Sequence, residues 1–361
     1  MTMTACFSDH YTEARETFLA ACTARGLRVE NRLNPNAKGS RGEDLYTDIA
    51  LIGRADAPKM LVLSSATHGV EGYCGSGAQV GLLQEGYFAD LPEDMAVLII
   101  HAMNPYGFSH DRRVTEDNVD LNRNFMDFAS IPEKPGAYAE LHAHILPEDW
   151  SGPARETADQ AIATYIEDKG LTAYQTAASE GQYHFEDGIF YGGARATWSN
   201  EMFASVMETY VSHAEQVAFL DFHTGLGPYG YGELIMDGTP EQKARARDWY
   251  GDQVTDPEAG TSTSAPLTGT LWHGTMMALP KAEITFIVIE YGTYEITRVL
   301  QAVRGDNWLY QKGNVASETG AAIKREIRDT FYPDKDDWKE MVWQRAVEVV
   351  DLALEGLSGR A

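Results

Sequence analysis

Near-continuous apolar runs punctuate the chain at Met60–Ser65, Ala96–His101, Val217–Phe222 and Glu283–Ile289. Each reads as a strand buried on both faces. A shorter strand is expected at Asp48–Ile52. Helical periodicity runs from Glu13 to Arg25 and is closed by Gly26. Further helices are expected at Gly75–Leu83, Tyr138–His144, Ala154–Lys169, Met202–Ala214 and Trp338–Leu354. Buried strands alternating with helices predict an α/β fold with a sheet covered on both faces. The 361 residues show no internal repeat and no long low-complexity linker, which suits one large domain, with or without a sizeable insertion. Gly260–Ala265 reads as a mobile loop rather than a domain boundary.

Polar residues follow these runs in a repeated layout: His68, Asn104, His223 and Glu290. In open α/β sheets, ligand sites gather beyond the carboxyl ends of strands. His68 and Glu71 stand three positions apart among Gly69 and Gly72, and a tight loop lets an imidazole and a carboxylate converge on one ion. Catalytic zinc takes three protein ligands and keeps a position for water. His223, at the end of a separate strand, is the third candidate, and Asp221 two residues earlier could orient a histidine ring by a hydrogen bond. Of the 10 histidines, His10, His142, His144 and His213 read as ordinary surface or packing residues. The aromatic and glycine-rich tract Tyr183–Gly193 reads as an irregular loop over a pocket.

Charge narrows the partners. With 54 acidic and 29 basic residues the formal net charge is -25, a surface that repels nucleic acid and anionic membranes. Against that background Arg112, Arg113 and Arg123 form a basic island. The 3 cysteines, Cys6, Cys22 and Cys74, offer no Cys-x-x-Cys pair and no disulfide framework, and they suit a reducing compartment. No apolar run approaches the roughly 20 residues of a membrane span. Met1–Cys6 lacks a basic segment followed by an apolar one, so a cytoplasmic protein is expected.

Together, the blocks His68–Gly72, Asn104–Gly107 followed by Arg112 and Arg113, Val119–Phe125, Asp221–Gly225 and Ile289–Gly292 resemble the zinc carboxypeptidases of the M14 type. The resemblance is closer to the bacterial branch described as DUF2817, and it spans roughly residues 45 to 295. It implies a single three-layer α/β/α domain over residues 1–361 with a mixed, mostly parallel central sheet, and an inserted pocket-forming region at about 127–199. It implies one zinc ion held by His68, Glu71 and His223, with Glu290 as general base. It implies that Asn122 and Arg123 grip a terminal carboxylate and that Arg112 or Arg113, with Arg113 favoured, polarises the scissile carbonyl. Asp120 falls in a scaffold position. The mobile tyrosine of such enzymes has no secure counterpart; Tyr191, Tyr229 and Tyr231 are candidates by glycine-rich context. Tyr191, Trp198, Tyr229, Trp272 and Tyr294 are candidates for the pocket wall.

The expected activity is zinc-dependent hydrolysis of an amide bond in a short peptide bearing a free carboxylate. N-acyl-amino-acid deacylation is the alternative, and a non-catalytic carboxylate-binding protein is the third reading. Zinc suits this chemistry because it polarises a carbonyl and acidifies water. Homo-oligomerisation stays open.

Overall fold

Side chains on a strand alternate between the two faces of its sheet, and the apolar runs sort accordingly. The computed structural model describes residues 3–359. Its strands are β1 Val29–Lys38, β2 Asp44–Gly53, β3 Lys59–Ser64, β4 Met95–His101, β5 Gln216–Gly225, β6 Gly232–Ile235, β7 Val254–Thr255 and β8 Glu283–Gly292. Leu61, Leu63, Val97, Ile99, Ala218, Leu220, Phe222, Ile287 and Ile289 belong to one core. Their neighbours Met60, Val62, Ala96, Leu98, Ile100, Val217, Phe219, Ile284 and Phe286 belong to the other. Helices Tyr11–Ala24, Gly72–Glu85, Pro240–Tyr250 and Asp336–Ser358 pack on the first face. Helices Trp198–Tyr210 and Leu271–Ala278 pack on the second. The result is three layers, helices on both sides of a central sheet.

The eight strands form one sheet in the order β1-β2-β4-β3-β5-β8-β6-β7. The four apolar runs are its central neighbours, and β4, β3, β5 and β8 are mutually parallel. Antiparallel pairings β1/β2, β2/β4 and β6/β8 flank them, so the sheet is mixed and largely parallel at its centre. The chain leaves β3 through Gly72–Glu85 to β4 on one side, and β5 later takes the other side of β3. That reversal opens a crevice at the carboxyl ends of β3 and β5, where α/β sheets bind ligands.

The loops at these ends are tightly fixed. Ala66 and Ala102 both adopt left-handed backbone, at φ 59° and 66°, which is uncommon for residues carrying a Cβ. The loops after β3 and β4 hold each other: Met103 N–H donates to Ser65 O and Asn104 N–H to Ala66 O, each at 2.9 Å. At Gly69 the loop after β3 presses against Gly107 so closely that a Cβ would collide with its backbone. Past Glu290, Trp338 is fully buried and its Nε1–H donates to Gly292 O at 3.0 Å, which pins the end of β8.

A third cluster lies above the crevice. Tyr138, Leu141, Ile145, Ile162, Tyr174 and Phe190 pack on Val299, Leu300 and Val303 of helix Ile296–Gln311, and on Ile327 and Phe331. The stretch 127–199 is thereby anchored to the rest of the chain. No helix among the described residues is long and apolar enough to cross a membrane.

Candidate metal centre

The parallel register of β5 and β8 makes His223 and Glu290 direct neighbours, and the two-residue alternation puts Asp221 on the same face of β5 as His223. The loop after β3 delivers His68 and Glu71 to the same place. His68, Glu71 and His223 are all buried, and their ligand atoms lie within 4.8 Å of one another. His68 Nδ1 stands 2.8 Å from Glu71 Oε1. His223 Nδ1 stands 3.0 Å from Glu71 Oε2 and 3.2 Å from His68 Nδ1.

The far nitrogen of each ring explains why these atoms fit a cation. His223 Nε2 lies 2.6 Å from Asp221 Oδ2, and His68 Nε2 lies 3.1 Å from Asp120 Oδ1. Asp221 only accepts, so His223 Nε2 carries its proton toward it, whereas His68 Nε2 faces both the Asp120 carboxylate and, at 2.7 Å, a donating Arg113 Nη2. The Nδ1 lone pair of His223 then faces Glu71 Oε2 with His68 Nδ1 beside it, and a proton or a cation between these atoms relieves the contact. Two imidazoles and a carboxylate with the fourth direction open suit a divalent ion of the zinc type. Burial and the surrounding charges agree. Burial pushes Glu71 up, but His68 and His223 outweigh it and hold the carboxyl below its usual range. Burial pulls His223 down, but Asp221 and Glu71 outweigh it and raise the imidazole well above its usual value. The donor set is therefore short of positive charge, and binding a metal there displaces a proton.

Asp221 is itself held in place, accepting from Ser64 Oγ at 2.6 Å and Thr67 Oγ1 at 2.9 Å. Substituting Asp221→Asn is expected to weaken metal binding about 10–100-fold, as loss of a partner that orients a ligating histidine does. Competition with a chromogenic chelator measures this. Unchanged affinity would show that Asp221 does not orient His223.

Around the donors, the structure separates the arginines. Arg113 Nε donates to Asp120 Oδ2 at 2.9 Å and its Nη1 to Glu71 Oε1 at 3.1 Å, with Nη2 2.7 Å from His68 Nε2. Arg112 points elsewhere. Its Nε donates to Asp306 Oδ2 at 2.9 Å, its Nη2 to Asn118 Oδ1 at 3.1 Å, and its guanidinium covers the Tyr310 ring at 3.7 Å. The backbone between them ties this loop to the histidine loop: Val70 N–H donates to Arg112 O at 2.8 Å and Gly69 N–H to Arg113 O at 3.2 Å. Asn104 accepts from Gly107 N–H at 2.9 Å and so caps the turn leading to this loop.

One cavity is lined by His68, Glu71, His223 and Glu290 and also by Arg113, Asn122 and Arg123. Glu290 is buried, and its Oε1 accepts from Leu226 N–H at 2.9 Å. Burial, then the charge of Glu71, raises its carboxyl to about 8 in the metal-free protein. Asn122 spends its carbonyl oxygen on Leu271 N–H at 2.7 Å, which leaves its amide hydrogens as the free end. Arg123 is 2% exposed, yet its side chain reaches only backbone carbonyls: Ser179 O at 2.6 and 3.2 Å and Asn122 O at 2.8 Å. Among the described residues no carboxylate forms an ion pair with it, and burial pulls its pKa below the usual guanidinium value against the more distant attraction of Asp120. A buried cation with no carboxylate in direct contact is costly and favours an anionic ligand.

Other expectations fall further out. Tyr191 and Tyr229 do not line this cavity. Tyr191 contributes its backbone carbonyl, which accepts from Asp120 N–H at 2.7 Å. Tyr229 is 37% exposed and donates to Asp337 Oδ1 at 3.2 Å. Trp272 does line it, as do Gln175, Ser179 and Phe190 from the 127–199 stretch, which no sequence signal marks individually. Phe190, held at φ 51°, lies under the guanidinium groups of both Arg113 and Arg123, at 4.9 and 5.6 Å from its ring centre. The buried His–Glu–His set, positioned to chelate a metal and backed by a carboxylate, is the arrangement of a metallohydrolase active site.

No curated protein matches the sequence. The solved structure of carboxypeptidase A from Helicoverpa armigera is similar at 14% identity and a TM-score of 0.43, covering 94% of this chain and 73% of that one. Murein-tripeptide amidase MpaA from Escherichia coli O157 is similar at 13% identity and a TM-score of 0.35, covering 80% and 90%. Glutaminyl cyclase from Porphyromonas gingivalis is similar at 12% identity and a TM-score of 0.37, covering 93% and 88%. Likenesses this weak do not bear on what the chain does. The family described as "Protein of unknown function (DUF2817)" matches residues 7–345, and the chain belongs to it.

Proposed function

We propose that the protein is a zinc-dependent hydrolase that cleaves an amide bond in a small substrate carrying a free carboxylate. The observation that carries this reading is the opening of His68, Glu71, His223, Glu290 and the unpaired Arg123 into one cavity. His68, Glu71 and His223 would hold one zinc ion, which would supply Lewis acidity toward a carbonyl and acidify water at neutral pH. Glu290 takes the proton from the attacking water and returns it to the leaving amine. Arg123 and the amide hydrogens of Asn122 hold the substrate carboxylate, the guanidinium in a planar two-point grip. Arg113 places positive charge beside Glu71 and His68, where negative charge develops on the carbonyl oxygen. Arg112, tied to Asp306, positions the loop that bears Arg113. The region 127–199 acts as a wall of the substrate cavity within a single catalytic domain. Three buried, unpaired cysteines suit a reducing compartment and support a cytoplasmic site of action.

The test is a library of short peptides and N-acyl amino acids, each paired with its C-terminally amidated twin, read by mass spectrometry. Free-carboxylate members are cleaved by the zinc-loaded protein and their amidated twins are not, and a chelator stops the cleavage. Release of one C-terminal residue identifies a carboxypeptidase; release of an acyl group identifies a deacylase. Arg123→Gln is expected to lower kcat/KM for the free acid on the order of 10²-fold or more, the scale for breaking a buried charge pair. It also erases the preference over the amide. Equal cleavage of acid and amide by the wild type would remove Arg123 from substrate recognition.

A further inference from the structure

Beyond the metal donors, the cavity continues along β8 and β6. Strand alternation places Phe286 and Val288 on the face of Glu290, and Ile235 is the cross-strand partner of Val288. Pro257, Leu267 and Trp272 extend this apolar wall. One carboxylate interrupts it: Asp237, just past the end of β6, lines the same cavity and is partly buried.

Asp237 forms no ion pair among the described residues, and the only positive charge acting on it is that of Lys243, from a distance. The basic group near it, Lys243, is committed to Asp256 at 3.0 Å and Glu258 at 2.7 Å. Burial, then the negative charge of Glu258, pushes the Asp237 carboxyl above its ordinary range, the condition of a group short of positive charge. A half-buried carboxylate in a mostly apolar wall pays a desolvation penalty. A ligand offsets that penalty if it brings a cation on an apolar stem, because such side chains lay their methylenes on apolar surface and keep their charge at a polar group. The formal net charge of -25 adds a long-range attraction for cations.

Resting on the function proposed above, we propose that the substrate residue whose carboxylate Arg123 holds carries a basic side chain, lysine- or arginine-like. Its stem packs along Ile235, Val288 and Trp272, and its charge meets Asp237. Asp237 is then the residue that sets side-chain specificity, and it takes no part in bond cleavage.

Lysine and norleucine test this directly, since they have the same carbon chain and differ in the terminal ammonium. Matched substrates ending in each are compared with zinc-loaded wild type and Asp237→Asn. In parallel, free L-lysine and L-norleucine are titrated calorimetrically into both proteins, and thermal unfolding checks that the variant is folded. The wild type should favour lysine by roughly tenfold or more, the scale of a hydrogen bond to a charged group. In D237N the ratio should collapse toward one; because a ratio is read, a general loss of activity cancels. A wild type that does not prefer lysine, or a preference that survives D237N, overturns the inference. If no substrate is turned over, the hydrolase reading fails, and the titrations still decide whether Asp237 binds the ammonium group.

Discussion

Replacing His223 by alanine is expected to yield a chain that keeps no stoichiometric zinc through dialysis, whereas His184→Ala keeps it all. The two histidines differ in surroundings. His184 is exposed and its ring meets only the carbonyl of Pro132. His223 is buried between Asp221 and Glu71, at 2.6 and 3.0 Å, with its Nδ1 turned toward the other two donors. Structural zinc sites are worth on the order of 10 kcal/mol or more, shared among their protein ligands. Removing one of three protein ligands should therefore weaken affinity by several powers of ten. The same substitution leaves Asp221 and Glu71 buried with less positive charge between them, which costs about 3–5 kcal/mol of stability. Thermal unfolding with and without zinc separates the two effects. Wild type gains stability from zinc, by about 4 kcal/mol at a thousandfold excess over Kd, and H223A gains almost none. Full metal content in H223A would move the metal site elsewhere.

Glu290→Gln should lower kcat by about 10²–10⁴-fold, the range for loss of a positioned general base or acid, while zinc content stays at the wild-type level. Glutamine has the same shape, and its carbonyl can keep the bond from Leu226 N–H that Glu290 now accepts at 2.9 Å. What it loses is the ability to carry a proton. Without a metal, burial and Glu71 hold the Glu290 carboxyl at about 8. A cation among the donors lowers it again, toward a carboxylate that accepts a proton near neutral pH. An equal fall in metal content and in kcat would instead make Glu290 a structural support of the metal site.

The central sheet was legible because β3, β4, β5 and β8 are buried on both faces, which forces near-continuous apolar sequence. The edges were not. β1, Val29–Lys38, contains Asn31, Asn34, Pro35 and Asn36 and is largely exposed, so no apolar pattern marks it. β6 has four residues and β7 two, too few for any periodicity. The metal ligands were legible because each closes an apolar run or follows one by a few residues. Asp221 showed through the two-residue step to His223. The contact between His68 and Asp120 did not, because it depends on how two loops meet 52 positions apart. Arg112 and Arg113 are adjacent and chemically alike. Only the path of their loop sends one to Asp306 and the other to Glu71. Phe190 lies in the aromatic and glycine-rich tract Tyr183–Gly193 that reads as a loop over a pocket, whereas Ser179 and Asp237 reach the cavity through packing and loop geometry, which leave no pattern in one sequence.

The most direct measurement is a titration of zinc into metal-stripped protein, with occupancy and amide cleavage read in the same samples. The expected result is cleavage absent at the start, rising in proportion to bound zinc and reaching a plateau at one equivalent. Cleavage by the stripped protein, or a protein that fills with zinc and cleaves no amide bearing a free carboxylate, would contradict a zinc hydrolase built on His68, Glu71 and His223.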